Sequence, residues 1–340
     1  MNADRFEAIT RQYRGLRIAV VGDFCLDRYL EIDSAKSETS IETGLPVYNV
    51  VNVRAQPGGA GTVLNNLVAL GAGEIFPVGF AGEDGEGYEL RRALAAQPGV
   101  RLDHFLKTDD RRTFAYCKPL VLEPGKAPRE LNRLDQKNWT ATPQALAERL
   151  RVAVTSVAKD VDAYALLGQV EEQETGVLTT GVLETLATIA KAKAGRVMLA
   201  DDRRGLRGYS SVIFKMNAAE LAALTSTNLS SAVADIAALV VELASRNGRP
   251  VIVTLAERGI VGASPEGQSE HVSALPVRGD IDIVGAGDAV SANLIMALAA
   301  GATLCEAMEL ANAAASIVVH QLGTTGSASV RQLGELLFGR

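Results

Sequence analysis

The chain has 340 residues, 47% of them hydrophobic and 22% charged, with a formal net charge of −6. That length and apolar share provide for a large buried core, and the acidic balance with only scattered basic pairs leaves no footprint for nucleic acid. Cys25, Cys117 and Cys305 are odd in number and lack C-x-x-C spacing, no apolar run is long enough to span a membrane, and the first residues lack an export pattern, so a disulfide scaffold, a zinc site and a membrane partner are excluded and a cytoplasmic protein is expected.

In chain order, short β-rich runs alternate with longer helical patterns. Residues 16–21 read as a buried strand, 62–70 as a helix and 75–79 as the next strand. Further strands are predicted at 163–167, 197–200, 212–214 and 251–255, with helices around 142–158, 177–193, 231–246, 288–300 and 304–320. Strands alternating with helices of this length predict an α/β fold over residues 1–340 as a single domain, its mostly parallel sheet covered on both faces. Ligands of such sheets bind beyond the carboxyl ends of the strands. Segments 29–53 and 104–135 break the alternation: β-branched and aromatic residues recur between turn signals without a helical period. They read as a small antiparallel β lid.

One stretch carries chemistry by itself. In Asp282-Ile283-Val284-Gly285-Ala286-Gly287-Asp288 a glycine-rich turn leads into a small, apolar helix. Backbone N–H groups at such a helix start make a cavity for anionic oxygen, and Asp288 sets a carboxylate at its lip. Phosphoryl transfer needs both parts: the turn steadies charge on the group in flight, and the aspartate accepts the proton of an attacking hydroxyl. An ordinary helix cap is the plainer account of the same residues.

Other features are weaker alone. Asp27, after Gly22 and the first strand, offers two acceptor oxygens that suit a diol. Lys118, Arg133, Arg111, Arg112, Arg203 and Arg204 are cations from which a phosphorylated substrate would need one or two charge-assisted donors, and solvated surface charge is the bland account of each. His104, His271 and His320 lack paired spacing and fit core or surface roles. Trp139 reads as a packing residue. No G-x-x-x-x-G-K-[ST] loop occurs, and the single Gly22 after the first strand is too little for a dinucleotide fingerprint.

Taken together, D-x-x-G-A-G-D before an apolar helix, Gln56-Pro57-Gly58-Gly59-Ala60-Gly61 before another, Val78-Gly79-Phe80-Ala81-Gly82-Glu83-Asp84, and Asn217-Ala218-Ala219-Glu220 after a strand resemble the signatures of the ribokinase-like (PfkB) carbohydrate kinases. Within that family the likeness is strongest to the kinase domain of bacterial D-glycero-β-D-manno-heptose 7-phosphate kinases. It is carried by Gly22 to Tyr29, Pro57 to Ala60, Arg133 to Asp135 and Ala311 to Thr324, and it weakens after Leu167, where Gly168 to Gln173 replace that group's usual stretch.

The resemblance implies a three-layer ribokinase-like sandwich with a β lid and an ATP- and Mg²⁺-dependent phosphotransferase acting on a hydroxyl of a sugar or sugar phosphate, heptose 7-phosphate being one candidate. Asp288 would be the base, with Gly285, Ala286 and Gly287 as the anion hole. Asp27, Gly58, Gly59 and Asn66 would hold the sugar, although Thr62 and Val63 stand where the family's usual asparagine is expected. Asn217, Glu220, Thr254, Glu257, Gly259, Gly287 and Asn312 would serve the nucleotide, Glu220 reaching Mg²⁺ through water, and Ala256 replaces the first glycine of the T-x-G-x-x-G turn. Asp282 would support a monovalent cation such as K⁺, with Val284 where some members have threonine. The Gly82 to Asp84 turn would be structural, and a homodimer through the lid is a further expectation. Two alternatives stay open: a kinase for a neutral sugar such as ribose, fructose or a ketodeoxy acid, and a catalytically silent sugar or nucleotide sensor of the same fold.

Overall fold

In the computed structural model, which describes every residue except Ala127, Ala194, Ser231, Thr324 and Arg340, β1 (Arg17–Gly22) is buried on both faces. Ile18 and Val20 enter one core while Ala19 and Val21 enter the other, the pattern of a parallel strand with helices on each side. After it come β2 (Phe24–Asp33), β3 (Glu38–Thr39), β4 (Pro46–Val47), β5 (Val50–Gly59), β6 (Glu74–Gly82), β7 (Phe105–Thr108) and β8 (Phe114–Leu122). The remaining strands are β9 (Arg129–Glu130), β10 (Leu134–Gln136), β11 (Ala163–Gly168), β12 (Val197–Asp202), β13 (Ile213–Asn217), β14 (Val251–Thr254), β15 (Ile260–Ala263) and β16 (Ser269–Val272). The helices are α1 (Ala3–Gln12), α2 (Ala60–Ala69), α3 (Gly85–Ala95), α4 (Gln144–Val157), α5 (Thr180–Ala192), α6 (Ala218–Thr225), α7 (Val233–Asn247), α8 (Ala286–Ala299), α9 (Leu304–Val318) and α10 (Val330–Phe338).

The large sheet runs in the order β16-β15-β14-β13-β12-β11-β1-β6-β7, parallel from β14 to β7, with β15 and β16 added antiparallel. One face is covered by α1, α2, α3, α8, α9 and α10, the other by α4, α5, α6 and α7. From Ala289 to Ala297 every residue of α8 is buried, so this small-residue helix lies inside the protein and not at its surface. The central strands are mostly apolar and end on Gly22, Gly168, Asp202, Asn217 and Thr254. Polar and small residues therefore collect at one edge, the carboxyl edge, where a ligand is expected.

A smaller sheet runs β10-β8-β2-β5, with β9 paired to β8. Its pairings are antiparallel except for β2 with β8, which is parallel. Its limits differ from the predicted 29–53 and 104–135. β2 starts at Phe24, directly after β1, and β5 continues to Gly59. Phe105–Thr108 belongs to the large sheet, because Phe105 packs edge-on against Phe24, with ring centroids 5.2 Å apart, and pairs beside Gly79. Trp139 is 71% exposed and so is not a packing residue. Ile41, Leu45, Tyr48, Val50, Val51 and Val53 are exposed at the outer end of this sheet and its β3–β4 hairpin. No helix among the described residues is long and apolar enough to cross a membrane.

Candidate active site

Helix α8 opens without a side-chain cap. Gly285 adopts a left-handed φ of 83°, and among the described residues the N–H groups of Gly287 and Asp288 have no acceptor. Two such N–H groups at the positive end of a helix form a site for anionic oxygen. The turn is held from behind. Asp282 Oδ1 accepts the Val284 N–H at 3.0 Å, its Oδ2 accepts that of Gly323 at 3.3 Å, and its own N–H donates to Val319 O at 2.7 Å. Thr324, the end of the A-N-A-A-A to L-G-T likeness, lies outside the described residues.

Asp288 stands on the first turn of α8 with its carboxyl pushed up to about 7, first by burial and next by the charge of Asp201, against the pull of Lys215 and Arg203. A carboxyl poised there can take a proton near neutral pH. Lys215 is 5% exposed and donates to Asp201 Oδ2 at 2.6 Å, while Ser291 Oγ donates to the same oxygen at 2.8 Å. A Cβ placed on Gly287 would lie 3.3 Å from Lys215 Nζ, so the ammonium abuts the turn. Sequence reasoning assigned no role to Lys215, Asp201 or Ser291. The available signal was a lysine inside the apolar strand Ile213–Asn217, since a buried lysine needs a specific partner.

Asp27 is buried in strand β2, not on a loop, and lies against Gly58 on β5. A Cβ on Gly58 would meet the Asp27 carboxyl carbon at 2.6 Å, so that position requires glycine for close approach. Burial raises the Asp27 carboxyl, opposed by Lys118, Arg133 and Arg203. Lys118 Nζ lies 3.9 Å from Asp27, and Arg133 grips Asp135 through two bonds of 2.7 and 2.8 Å while its guanidinium lies 4.8 Å from the Tyr116 ring centre. Gly59 follows with a φ of 59°.

The structure removes several residues from this pocket. Asn66 is fully buried and its Nδ2 donates to Thr62 O and Gly326 O, so it supports the loop behind the site, while its Oδ1 has no partner among the described residues. Arg111 is buried and bound to Thr140 and to the carbonyl of Ala141, and Arg204 is tied to Asp202 at 2.7 Å. Both guanidinium groups are engaged in holding loops. Arg203 is exposed, among the described residues its guanidinium makes no hydrogen bond or ion pair, and its charge acts on both Asp27 and Asp288. Asp84 caps α3 through Gly87 N and binds Thr113, as a structural turn should. His320 bridges Ser316 O and Arg278 N.

Further along the carboxyl edge, Asn217 and Thr254 are paired across β13 and β14. Asn217 Oδ1 accepts the Glu220 N–H at 2.9 Å and Glu220 Oε2 accepts the Asn217 N–H at 2.7 Å, a reciprocal cap of α6. The other Glu220 oxygen makes no hydrogen bond among the described residues, and the carboxyl is raised by burial, with Asp201 adding to it. No three His, Cys, Asp or Glu groups among the described residues converge on a metal position. Glu257 is exposed, Gly259 leads into β15, and Asn312 on α9 donates to Ser273 O at 2.9 Å, just beyond β16. A cavity of about 820 Å³ opens beside this edge, with Asp202, Arg203 and Glu220 in its wall.

Ala256 carries a φ of 52°. That left-handed conformation strains a residue with a Cβ by roughly 1–2 kcal/mol, which exceeds the roughly 0.4–1 kcal/mol entropic cost of glycine. Ala256→Gly is expected to raise the melting temperature slightly, as read by thermal unfolding; a lower melting temperature would show the strain is absent.

The description "pfkB family carbohydrate kinase" matches residues 16–331. The "Bifunctional protein HldE" of Azorhizobium caulinodans is 33% identical over 309 residues, 90% of this chain and 61% of that protein. That of Gluconacetobacter diazotrophicus is 29% identical over 95% of this chain and 64% of its own length. The chain thus spans less than two thirds of the curated relatives it matches. Among solved structures, Arabidopsis thaliana ribokinase complexed with ribose and ATP aligns with a TM-score of 0.67 and 20% identity over 95% of this chain and 99% of that one. Escherichia coli phosphofructokinase-2 in complex with fructose-6-phosphate aligns with a TM-score of 0.68 and 18% identity over 94% and 97%. At these identities the structural likeness speaks for the fold, a ribokinase-like α/β sandwich.

Proposed function

The chain belongs to the pfkB family of carbohydrate kinases, and on that premise we propose that it transfers the γ-phosphoryl group of ATP to a hydroxyl of a sugar phosphate, heptose 7-phosphate being the first candidate. The observation that carries this reading is Asp288, its carboxyl pushed up to about 7, beside the two N–H groups of the α8 turn that have no acceptor among the described residues. Asp27 accepts hydroxyls of the acceptor sugar, and the cations around it favour a phosphorylated one. Asp288 takes the proton of the attacking hydroxyl, and the Gly285 to Gly287 turn receives the charge of the phosphoryl group. Mg²⁺, when bound, neutralises charge on the donor phosphates. Glu220 is the residue that would hold it through water, and Asn217, Thr254, Glu257, Gly259 and Asn312 lie along the edge we assign to the nucleotide. The donor set for K⁺ is thin, since both Asp282 oxygens already accept backbone N–H groups, and no step depends on it. The smaller sheet is the lid in this reading, and its exposed apolar end is the surface for a second copy of the chain.

Phosphorylation assays with ATP over pentoses, hexoses, ketodeoxy acids, hexose phosphates and heptose phosphates test it directly. A turnover preference for a neutral sugar overturns the sugar-phosphate reading, and no transfer to any acceptor favours the silent sensor. Glu220→Gln gives a second check, because glutamine keeps the reciprocal cap with Asn217 and removes only the charge. The Mg²⁺ concentration for half-maximal rate should rise with little change in the sugar KM; an effect confined to the sugar KM would reverse the assignment.

A further inference from the structure

Asp201 is the acidic residue at the centre of the site that the proposed reaction does not use. It is the next-to-last residue of β12, at the carboxyl edge, and its Oδ2 takes the Lys215 ammonium at 2.6 Å and the Ser291 hydroxyl at 2.8 Å. Ser291 lies one turn into α8, and its Oγ also stands 3.1 Å from Gly287 O. One carboxylate oxygen thus joins three elements: β12 through Asp201, β13 through Lys215, and α8 through Ser291. The Lys215 ammonium has three donors, of which one is used among the described residues, and it abuts Gly287. Burial pulls its proton affinity down, but the charge and hydrogen bond of Asp201 hold it above the ordinary lysine value, so it stays charged.

We propose that Asp201 is a positioning residue of the phosphoryl-transfer centre, which with Ser291 locks the Lys215 ammonium against the α8 turn where the transferring group arrives. The inference rests on the kinase reading of this site. A lysine on a flexible four-carbon stem supplies charge without fixed geometry, and a turn built to receive an anion gains from a cation only if that cation is held in place before the substrate enters. The arrangement gives that order: the lysine is pinned by a group that does not touch substrate, and its two spare N–H donors remain for incoming oxygen. Asp201 has a second effect on the same centre. Its negative charge opposes deprotonation of Asp288, whose carboxyl also faces Lys215, Arg203 and Asp27.

The test is Asp201→Asn, which keeps an acceptor of the same shape but loses the charge. We expect kcat to fall about tenfold with the sugar KM within about twofold, because the lysine is less firmly held while the sugar pocket is untouched. The acid limb of the kcat/KM profile should move to lower pH by at least about one unit, since Asp288 loses a repelling neighbour. Ser291→Ala removes one bond of the lock at constant charge, and should lower kcat about threefold with that limb unmoved. Should Asp201→Asn fail to fold, Ser291→Ala decides, and an unchanged kcat there overturns the proposal. A kcat within twofold of wild type in folded Asp201→Asn, or a loss confined to KM, also overturns it and leaves Asp201 a structural ion pair. If wild type phosphorylates nothing, the kinase reading fails separately. The lock is then read without turnover, from the Asp288 titration followed by carbon NMR in ligand-free protein, whose midpoint near 7 must drop in Asp201→Asn; an unmoved midpoint overturns the proposal.

Discussion

Asp288→Asn is expected to lower kcat by at least about 10²-fold, the lower range of a general base's contribution, while the fold and ATP binding persist. The amide keeps the shape and can still cap the turn, but it cannot take a proton. Because the wild-type carboxyl is pushed up to about 7, kcat/KM of the native enzyme should rise through an acid limb with its midpoint near pH 7. The residual activity of the variant should lack that limb. The same shift has a stability consequence with a definite sign. An aspartate whose folded-state value lies above its unfolded one binds more protons when folded, so stability falls as pH rises from about 4 through 7. Asp288→Asn removes that loss and should melt no lower than wild type at pH 8. Turnover within a few-fold of wild type would remove Asp288 from the mechanism, and a variant that unfolds at pH 8 would contradict the electrostatic account of its carboxyl.

The strands of the large sheet were legible because both of their faces are buried. A run such as Ile18-Ala19-Val20-Val21 has no polar face to blur its pattern, and its end at Gly22 is marked by a change of residue type. Strand β16 was missed for the opposite reason: Ser269–Val272 is a short, largely exposed strand whose pairing is set by its neighbour β15 and not by its own periodicity. α6 escaped notice because its eight residues, half of them alanine, show little contrast between faces, although its capping pair Asn217 and Glu220 was visible. The boundary of the smaller sheet was misplaced because Phe24 to Leu26 are as buried as β1 itself, and a buried run does not tell which sheet it joins.

In the site, the motif residues that act through backbone were readable, since glycine spacing fixes where a turn lies. Residues acting through long side chains were not. Arg204 and Arg203 are adjacent in sequence, yet one closes on Asp202 while the other is exposed and acts through its charge on Asp27 and Asp288. Asn66 looks like a ligand in sequence, but the Gly326 loop folds over it. The Asp201, Lys215 and Ser291 cluster joins residues up to 90 positions apart, and no local pattern announces such a meeting.

Removing the charge of Lys118, Arg133 or Arg203 should raise the KM for a phosphorylated sugar by about 10-fold or more in at least one case, because a hydrogen bond to a charged group contributes roughly 1.5–3 kcal/mol. Six cations were candidates at the level of sequence, and the structure divides them. Arg111 and Arg204 already satisfy buried carbonyl and carboxylate groups, so changing either should lower the melting temperature more than it weakens the substrate. Arg112 is exposed, and it is its backbone that meets Asn138, the N–H donating to Oδ1 and the carbonyl accepting from Nδ2. The other three all act on Asp27, and they differ in how free they are. Arg133 is committed to Asp135 by two bonds, and Lys118 is shared between Asp27 and the Tyr29 ring, 4.9 Å from its centre. Arg203 has no such partner among the described residues and also lies in the field of Asp288. Arg203→Met should therefore give the largest rise in KM. The contrast with a neutral sugar is what makes the measurement decisive: the same variant should leave the KM for an unphosphorylated sugar unchanged, since only a phosphate requires the guanidinium as donor. If Lys118→Met, Arg133→Met and Arg203→Met all bind the best phosphorylated substrate normally, its phosphate has no anchor in this pocket, and a neutral sugar becomes the better acceptor for the hydroxyl that Asp288 faces.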